Sequence, residues 1–287
     1  PQTYHYRAAL TQDVQDGMRE LVADVEKLTG GFAGLTVLDI GCNDGSLLSH
    51  FRARGAKTAG IEPTGAYKDA TPKVDWIHHG YFDAAAVDAY LENHSAPDIV
   101  TFTNVFAHIE DLNGLIENLK RLIGPRTKLV IENHYLGAVV ARAQFDTFYH
   151  EHPRTYSLQS FKFIAQKLGL NLEECSFPAR YNGNIRVVMG HGAVTQTTEV
   201  DESNFIRGVE RMQPLIAQGR ERILSRLAPL VKQYGPLPAK AFPGRASILI
   251  HCFQIDETLI DATYERSSSP KIGNYVPGTR IEIRDEE

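Results

Sequence analysis

The chain has 287 residues, of which 43% are hydrophobic and 23% charged, so it can bury the core of one large or two modest domains. Its 35 acidic and 30 basic side chains give a formal net charge of −5, spread along the chain, which argues against a nucleic-acid-binding surface. No apolar run is long enough to span a bilayer and no leader peptide is recognisable, so we expect a cytoplasmic protein without a membrane partner. The cysteines Cys42, Cys175 and Cys252 are too far apart for a metal motif, and no metal is expected.

The first third of the chain predicts a helix followed by a strand, a turn and a second helix. Apolar residues recur at helical spacing over residues 8–30, and Gly30 and Gly31 end the pattern. An apolar strand over 35–40 follows, then a turn with glycines and a helix over 46–53. This order is the first βα unit of an α/β fold.

The unit repeats along the chain. Four further strands that alternate with helical segments are predicted at 57–62, 74–78, 98–103 and 128–132. Such alternation indicates a parallel sheet covered by helices on both faces, and runs at 170–175 and 185–189 can complete a seven-stranded, Rossmann-like sheet.

The carboxy-terminal third predicts a second, smaller α/β domain. Helical spacing covers 201–233, prolines and a glycine interrupt the chain over 236–244, and a helix at 246–253 precedes a strand at 258–262. We therefore expect three parts. They are an amino-terminal lid and helix at 1–30, a ligand-binding α/β domain at 31–199 and a substrate-binding α/β domain at 200–287.

A ligand site is predicted where the first two strands end. The segment Asp39-Ile40-Gly41-Cys42-Asn43-Asp44-Gly45 follows the first strand, and open α/β sheets bind ligands at that edge. Asp39 can pair with the amino group of an amino-acid moiety, and Glu62, at the end of the second strand, can accept both ribose hydroxyls of an adenosine. Phe82, after the third strand, is a candidate for adenine contact, with a plain surface turn as the alternative. The third glycine of a dinucleotide fingerprint is missing, which disfavours NAD.

Titratable side chains follow the fourth and fifth strands. Asn104 and His108 come directly after the fourth strand, at the mouth of the same crevice. After the fifth strand, Tyr149-His150-Glu151-His152 places a phenol, a carboxylate and two imidazoles together, which indicates proton transfer. The structural alternatives are a surface or packing role for His150, a helix-start role for His108 and a core role for Tyr149.

These segments resemble the sugar C-methyltransferases of antibiotic deoxysugar pathways, which act in natural-product biosynthesis. The similarity covers nearly the whole chain and includes 39–46, 60–63, 104–108, 145–152, Gly183-Asn184-Ile185-Arg186 and the terminal segment 271–279. The resemblance implies a class I methyltransferase fold with S-adenosyl-L-methionine as cofactor. It also implies a small-molecule acceptor, a nucleotide-linked 4-keto sugar that is methylated at C3.

The resemblance also implies residue roles. His152 or Tyr149 would remove the C3 proton, Glu151 would orient the base, and His108 with Asn104 would donate hydrogen bonds to the developing oxyanion. The implied cofactor-binding residues are Asp39, Gly41, Cys42, Asn43, Gly45, Glu62, Phe82 and Asn104. The implied substrate-binding residues are Tyr4, Tyr6, Asn184, Arg186, Arg245 and Lys271, with the two tyrosines as a lid or as plain anchors.

The chain departs from the family in three places. Relatives usually begin with a zinc-binding domain, which this chain is expected either to have lost or to lack by truncation. Ala8-Ala9 replaces a Ser-Ser pair, and 241–247 replaces a glycine-rich turn that helps bind the nucleotide. The alternative function is therefore O- or N-methylation of another sugar or small natural product. A nicotinamide-dependent oxidoreductase would be expected to have a Tyr-x-x-x-Lys pair, which this sequence lacks. A binding protein without catalytic activity would be expected to lose Tyr149, Glu151 and His152, which are all present.

Overall fold

A computed structural model describes residues 7–195, 199–242, 244–267 and 269–287. The chain divides into two compact units. The first contains the described residues up to Ala138 together with Pro153–Glu202, and the second contains Val139–His152 and Ser203–Glu287.

The first unit is built on a seven-stranded sheet with helices on both faces. Its strands are β1 Thr36–Ile40, β2 Lys57–Ile61, β3 Trp76–His78, β4 Ile99–Thr103, β5 Lys128–His134, β6 Asn171–Ser176 and β7 Asn184–Gly190. Its helices are α1 Gln12–Thr29, α2 Ser46–Arg52, α3 Tyr67–Ala70, α4 Ala84–Asn93, α5 Leu112–Leu122, α6 Leu136–Ala141 (whose last residues belong to the second unit) and α7 Leu158–Leu168.

The strand order is β3-β2-β1-β4-β5-β7-β6, in which β7 runs antiparallel to both of its neighbours. The remaining neighbouring strands pair in parallel. This arrangement confirms the predicted Rossmann-like sheet. Because β1 is followed by β2 on one side and by β4 on the other, the crevice at the carboxyl ends of β1 and β4 is a topological switch point, where open α/β sheets bind ligands.

Apolar burial explains why these segments fold as they do. Val14, Leu21, Val22 and Val25 lie on one face of α1 and are buried in the same cluster as Phe51 of α2. Each such side chain contributes about 1.5–3 kcal/mol when fully buried. In β1, four consecutive residues are buried, which is typical of a parallel strand covered on both faces.

The second unit combines three helices with a small parallel sheet. The helices are α8 Phe205–Glu210, α9 Met212–Tyr234 and α10 Ala246–Phe253, and the sheet has the order β10-β9-β8, formed by Glu282–Asp285, Ile260–Glu265 and Leu237–Lys240. Phe242, Phe253, Val276 and Ile283 belong to its core. The ring of Phe145 packs against Phe253 with 5.9 Å between centroids, so the segment around residue 145 joins this unit and not the α/β domain at 31–199 in which the sequence analysis placed it.

All three strands named for the second unit differ from the sequence expectation. The prolines over 236–244 predict an interruption of the chain, yet the segment around residue 238 forms β8, because β8 is an edge strand and a proline there loses no bond to an interior ladder. The last strand, β10, was not predicted, and β9 starts two residues later than expected. None of the helices in the described ranges is long and apolar enough to cross a membrane.

Candidate active site

The loop after β1 requires glycine at its first position. Gly41 has φ 72°, and a Cβ built there would lie 2.5 Å from Cγ2 of Val105. Its N–H donates to the carbonyl of Ile61 at 2.8 Å, which joins the loop to the end of β2. Gly45, with φ 75°, precedes α2. At these two positions the loop therefore has no side chain beside the switch-point crevice, which allows a ligand to approach the main chain closely.

The side chains of the loop bind the turn that precedes α1. Asn43 Oδ1 accepts from the Ala8 N–H at 3.1 Å, and Asp44 Oδ2 accepts from the Ala9 N–H at 2.9 Å. The other oxygen of Asp44 accepts from the N–H and the hydroxyl of Ser46 at the start of α2. These contacts fix the loop between its own helix and the amino-terminal turn. The predicted lid residues Tyr4 and Tyr6 lie outside the described residues.

Asp39, the last but one residue of β1, is a buried carboxyl beside the loop, with 3% of its surface exposed. Burial raises its pKa to about 7, the hydrogen bond from Thr101 Oγ1 at 2.6 Å opposes that rise, and the neighbouring Glu62 adds to it. A cationic amino group would compensate both the burial and the repulsion. Asp39 therefore fits the ammonium group of an amino-acid moiety.

Glu62, directly after β2, is also buried and is held by main-chain donors. Its Oε2 accepts from the Asn43 N–H and its Oε1 from the Thr64 N–H, both at 2.8 Å. A carboxylate oxygen has two lone pairs, so each oxygen retains one for a further donor. Two ribose hydroxyls of an adenosine are donors of the required number and kind.

Cys42, also in the predicted cofactor set, has its thiol buried against the second strand. A Cβ built at Gly60 would lie 2.6 Å from the Cys42 Sγ, and burial with the nearby carboxylates Asp39 and Glu62 raises the pKa of the thiol well above its usual value. The side chain therefore fills space as a neutral thiol. The main-chain groups of Cys42 are engaged within the protein, since its N–H donates to the Ile61 carbonyl at 3.2 Å and its carbonyl accepts from the Gly45 N–H at 3.0 Å.

Aromatic rings follow β2 and β3 at the same edge of the sheet. Phe82 is half-buried and meets Phe102 edge to face at 6.0 Å. Tyr67 and His79 stack with 3.9 Å between ring centroids, and the N–H of Gly80 donates to the carbonyl of Glu62. The Tyr67–His79 pair is not predicted from the sequence, although a histidine directly after a predicted strand was a visible signal.

Asn104 and His108 both follow β4 in the first unit. Asn104 has φ 55° and donates its main-chain N–H to the carbonyl of Glu132 at 2.8 Å. A non-glycine residue in this left-handed conformation is uncommon and often marks a functional site. His108 ends a short 3-10 turn and its side chain is exposed, so its ring is accessible to a small molecule.

The predicted substrate residues Asn184 and Arg186 are buried at the start of β7. Asn184 Nδ2 donates to Glu132 Oε1 at 2.9 Å and lies 3.3 Å from Asn104 Oδ1. Arg186 pairs with Glu132 at 2.8 Å and with Asp24 of α1 at 2.5 Å. Only 4% of the Arg186 side chain is exposed, so its guanidinium holds α1 against the sheet and does not face solvent.

Tyr149, Glu151 and His152 lie in the second unit. Tyr149 Oη is 3.4 Å from His152 Nε2, and His152 Nδ1 is 3.3 Å from the carbonyl oxygen of Thr147. A carbonyl only accepts, so the proton of a neutral His152 ring is on Nδ1, and Nε2 carries the lone pair that faces the phenol. Glu151 and His150 are exposed.

The two remaining predicted substrate residues also belong to the second unit and are paired. Arg245 lies 3.0 Å from Asp146. Lys271 Nζ donates to the carbonyl of Phe242 and lies 3.2 Å from Glu265. The structure thus brings Asp39, the glycine loop, Glu62, Asn104 and Asn184 together in one unit, and Tyr149, His152, Arg245 and Lys271 in the other. Among the described residues, no group of three or more His, Cys, Asp or Glu side chains could hold a metal ion.

The chain is similar to known methyltransferases. The family described as "Methyltransferase domain" matches residues 9–174. The chain is 25% identical over 296 residues to the C-methyltransferase NovU of Streptomyces niveus, a match that covers 98% of this chain and 69% of that protein. A match to the ubiquinone biosynthesis O-methyltransferase of Sodalis glossinidius (strain morsitans), 30% identical over 101 residues, covers 34% of this chain and 40% of that protein.

Solved structures share the fold. The PH0226 protein of Pyrococcus horikoshii OT3 superposes with a TM-score of 0.51 at 14% sequence identity, covering 64% of this chain and 94% of that one. At this identity the likeness is one of fold alone.

Proposed function

The chain belongs to the methyltransferase-domain family and is an S-adenosylmethionine-dependent methyltransferase, and from this premise we propose that it methylates a carbon atom of a nucleotide-linked keto-deoxysugar. The similarity to the C-methyltransferase NovU supports the proposal, because it extends over nearly the whole chain and not only over the domain that many methyltransferases share. The proposed acceptor site uses residues of the second unit, and the proposed cofactor site uses residues of the first.

The observation that carries the proposal is the hydrogen bond between Tyr149 and His152. Methyl transfer to carbon needs a base, because a C–H bond must lose its proton before carbon can act as a nucleophile. His152 Nε2 has its lone pair directed at Tyr149 Oη, and its other nitrogen is oriented by the Thr147 carbonyl. This is the arrangement of a general base held in one tautomer by a third group.

The proposed reaction proceeds in two steps. His152, directly or through Tyr149, takes the proton from the carbon next to the ketone, and the electron pair delocalises onto the ketone oxygen as an enolate. Hydrogen-bond donors to that oxygen would stabilise the enolate by about 3–4 kcal/mol each. Bound S-adenosylmethionine would supply an electrophilic methyl group on its sulfonium sulfur, and the sulfur would keep the electron pair of the broken carbon–sulfur bond as a neutral thioether.

The cofactor is proposed to bind at the switch-point crevice. Asp39 would pair with the ammonium group, Glu62 would accept the ribose hydroxyls, Phe82 would contact the adenine, and the glycine loop would approach with its main chain. In the second unit, Arg245 and Lys271 are the proposed contacts to the anionic nucleotide part. Each is now paired with a carboxylate, so substrate binding would exchange that partner.

The test separates proton removal from methyl transfer. The protein is incubated in D2O with a thymidine-diphosphate-linked 4-keto-6-deoxysugar and S-adenosylhomocysteine, and loss of the C3 proton signal is followed by NMR. We expect exchange in the native protein, a fall of roughly 10²–10⁴ in the rate for His152→Ala, and little change for the matched control His150→Ala, an exposed neighbour.

A second arm adds S-adenosylmethionine carrying a ¹³C methyl group. A new carbon-bound methyl signal supports the proposal. An oxygen- or nitrogen-bound methyl signal, or exchange that is equally fast in His152→Ala, would overturn C-methylation with this base.

A further inference from the structure

A buried polar cluster joins the ends of β4, β5 and β7. The cluster, called here the Glu132 cluster, consists of Glu132, Arg180, Arg186, Asn184 and Asn104. Glu132 is fully buried and lies 3.5 Å from a guanidinium nitrogen of Arg180 and 2.8 Å from one of Arg186. Asn184, also fully buried, reaches Glu132 with Nδ2 at 2.9 Å. These contacts are more than are needed to neutralise one carboxylate.

The cluster fixes the direction of each hydrogen bond. A carboxylate between two guanidinium groups only accepts, so Asn184 must present its NH2 group to Glu132. The same NH2 group lies 3.3 Å from Asn104, and the Asn104 atom that it meets must therefore be the carbonyl oxygen. The amide oxygen of Asn184 is buried and has no hydrogen-bond partner among the described residues. Reversing the amide would satisfy no acceptor and would place that oxygen against the carboxylate.

The consequence is a defined orientation for Asn104. Its oxygen is occupied by Asn184 and its main-chain N–H by the Glu132 carbonyl, so its Nδ2 group is turned away from the cluster. Within the described part of the chain, Asn104 Nδ2 donates to no protein atom. Asn104 follows β4 at the switch-point crevice, where β4 pairs with β1 in a register that joins Thr101 to Asp39.

The amino-acid end of the cofactor carries two opposite charges, an ammonium group and a carboxylate, and each needs a partner. The ionised Asp39 suits its ammonium group and has no hydrogen to donate to its carboxylate. A carboxylate needs N–H or O–H donors, and the Asn104 NH2 group is one that the Glu132 cluster holds in place.

We propose that Asn104 donates from Nδ2 to the methionine carboxylate of S-adenosylmethionine, and that Asn184 and Glu132 are positioning residues that fix the amide in this orientation. This inference rests on the proposed placement of the cofactor at the switch-point crevice and is independent of the acceptor.

The test compares two cofactors that differ in one group. Calorimetry measures the binding of S-adenosylmethionine and of decarboxylated S-adenosylmethionine, which keeps the ammonium group and lacks the carboxylate. We expect Asn184→Ser to weaken the first by about tenfold and to leave the second unchanged, because only the first makes the oriented bond. Asn104→Ser should show the same selective loss, and it replaces Asn184→Ser in the test if that variant fails to fold. A general disturbance of the pocket would weaken both ligands equally, and that result would overturn the inference.

Two further variants make the result specific. Asn133→Ser removes a buried amide at the same end of β5, and this amide is outside the Glu132 cluster. The variant should therefore leave the binding of both ligands unchanged. Asp39→Asn tests the placement itself and should weaken both ligands, since both carry the ammonium group. Unchanged binding in Asp39→Asn would reject the placement. Weakened binding there, without a selective effect in either Asn184→Ser or Asn104→Ser, would reject only the role of the Glu132 cluster.

Discussion

The raised pKa of Asp39 makes cofactor binding sensitive to pH in a calculable way. In the ligand-free protein burial holds this pKa at about 7, and the cationic ammonium group of S-adenosylhomocysteine binds the ionised form. Protonation competes with binding below that pKa, so affinity should fall about tenfold for each pH unit below 7 until the pKa of the complex is reached. Between about pH 8 and about pH 5.5 the expected loss is about 30-fold.

Calorimetric titration with S-adenosylhomocysteine across this range measures the effect. Repeating it near pH 7 in buffers of different ionisation enthalpy should show the release of about half a proton per ligand, because about half of the Asp39 carboxyls are protonated before binding. Two controls remove the effect. 5′-Methylthioadenosine lacks the ammonium group, and Asp39→Asn lacks the titrating carboxyl, so both should bind with little pH dependence. An affinity for S-adenosylhomocysteine that stays constant over the whole range would refute the reasoning.

Three further predictions concern stability, measured by urea unfolding without ligand. Gly41→Ala should cost more than Gly30→Ala, because both have positive φ but only the first meets neighbouring atoms; equal losses would argue against the clash. Leu21→Ala should destabilise the protein by about 2–5 kcal/mol as a large-to-small change in a full core, and a loss below that range would mean that α1 packs loosely. Glu132→Gln should cost about 3–5 kcal/mol because it removes the buried carboxylate that pairs with both Arg180 and Arg186, whereas Glu117→Gln, which breaks an exposed pair, should change stability by less than about 1 kcal/mol.

The sheet could be predicted from the sequence because its signals are local. Each strand of the parallel core is a short apolar run, and the loop from Asp39 to Gly45 follows one of them directly. The positions of the glycine loop and of Glu62 at the same edge follow from the parallel order of β1 and β2. What the sequence does not contain is the contact between Asn43 and Glu62, which depends on how two loops meet.

The remaining differences arise from long-range packing. The family resemblance implies a substrate contact at Arg186, yet its partners are 54 and 162 residues away in the chain and bury it. The segment around Phe145 groups with the second unit because its ring packs against α10, a contact that no local pattern shows. The prolines of β8 predict a break in the chain, and only the place of this strand at the sheet edge makes them acceptable.

The turn at Ala8 and Ala9 offers only main-chain N–H groups to Asn43 and Asp44. Any residue other than proline supplies these N–H groups, so replacing Ser-Ser by Ala-Ala leaves the attachment unaltered. The constraint that remains is one of size. Position 8 is buried and accommodates only a small side chain, whereas position 9 is exposed and accommodates a larger one without breaking the hydrogen bond to the loop.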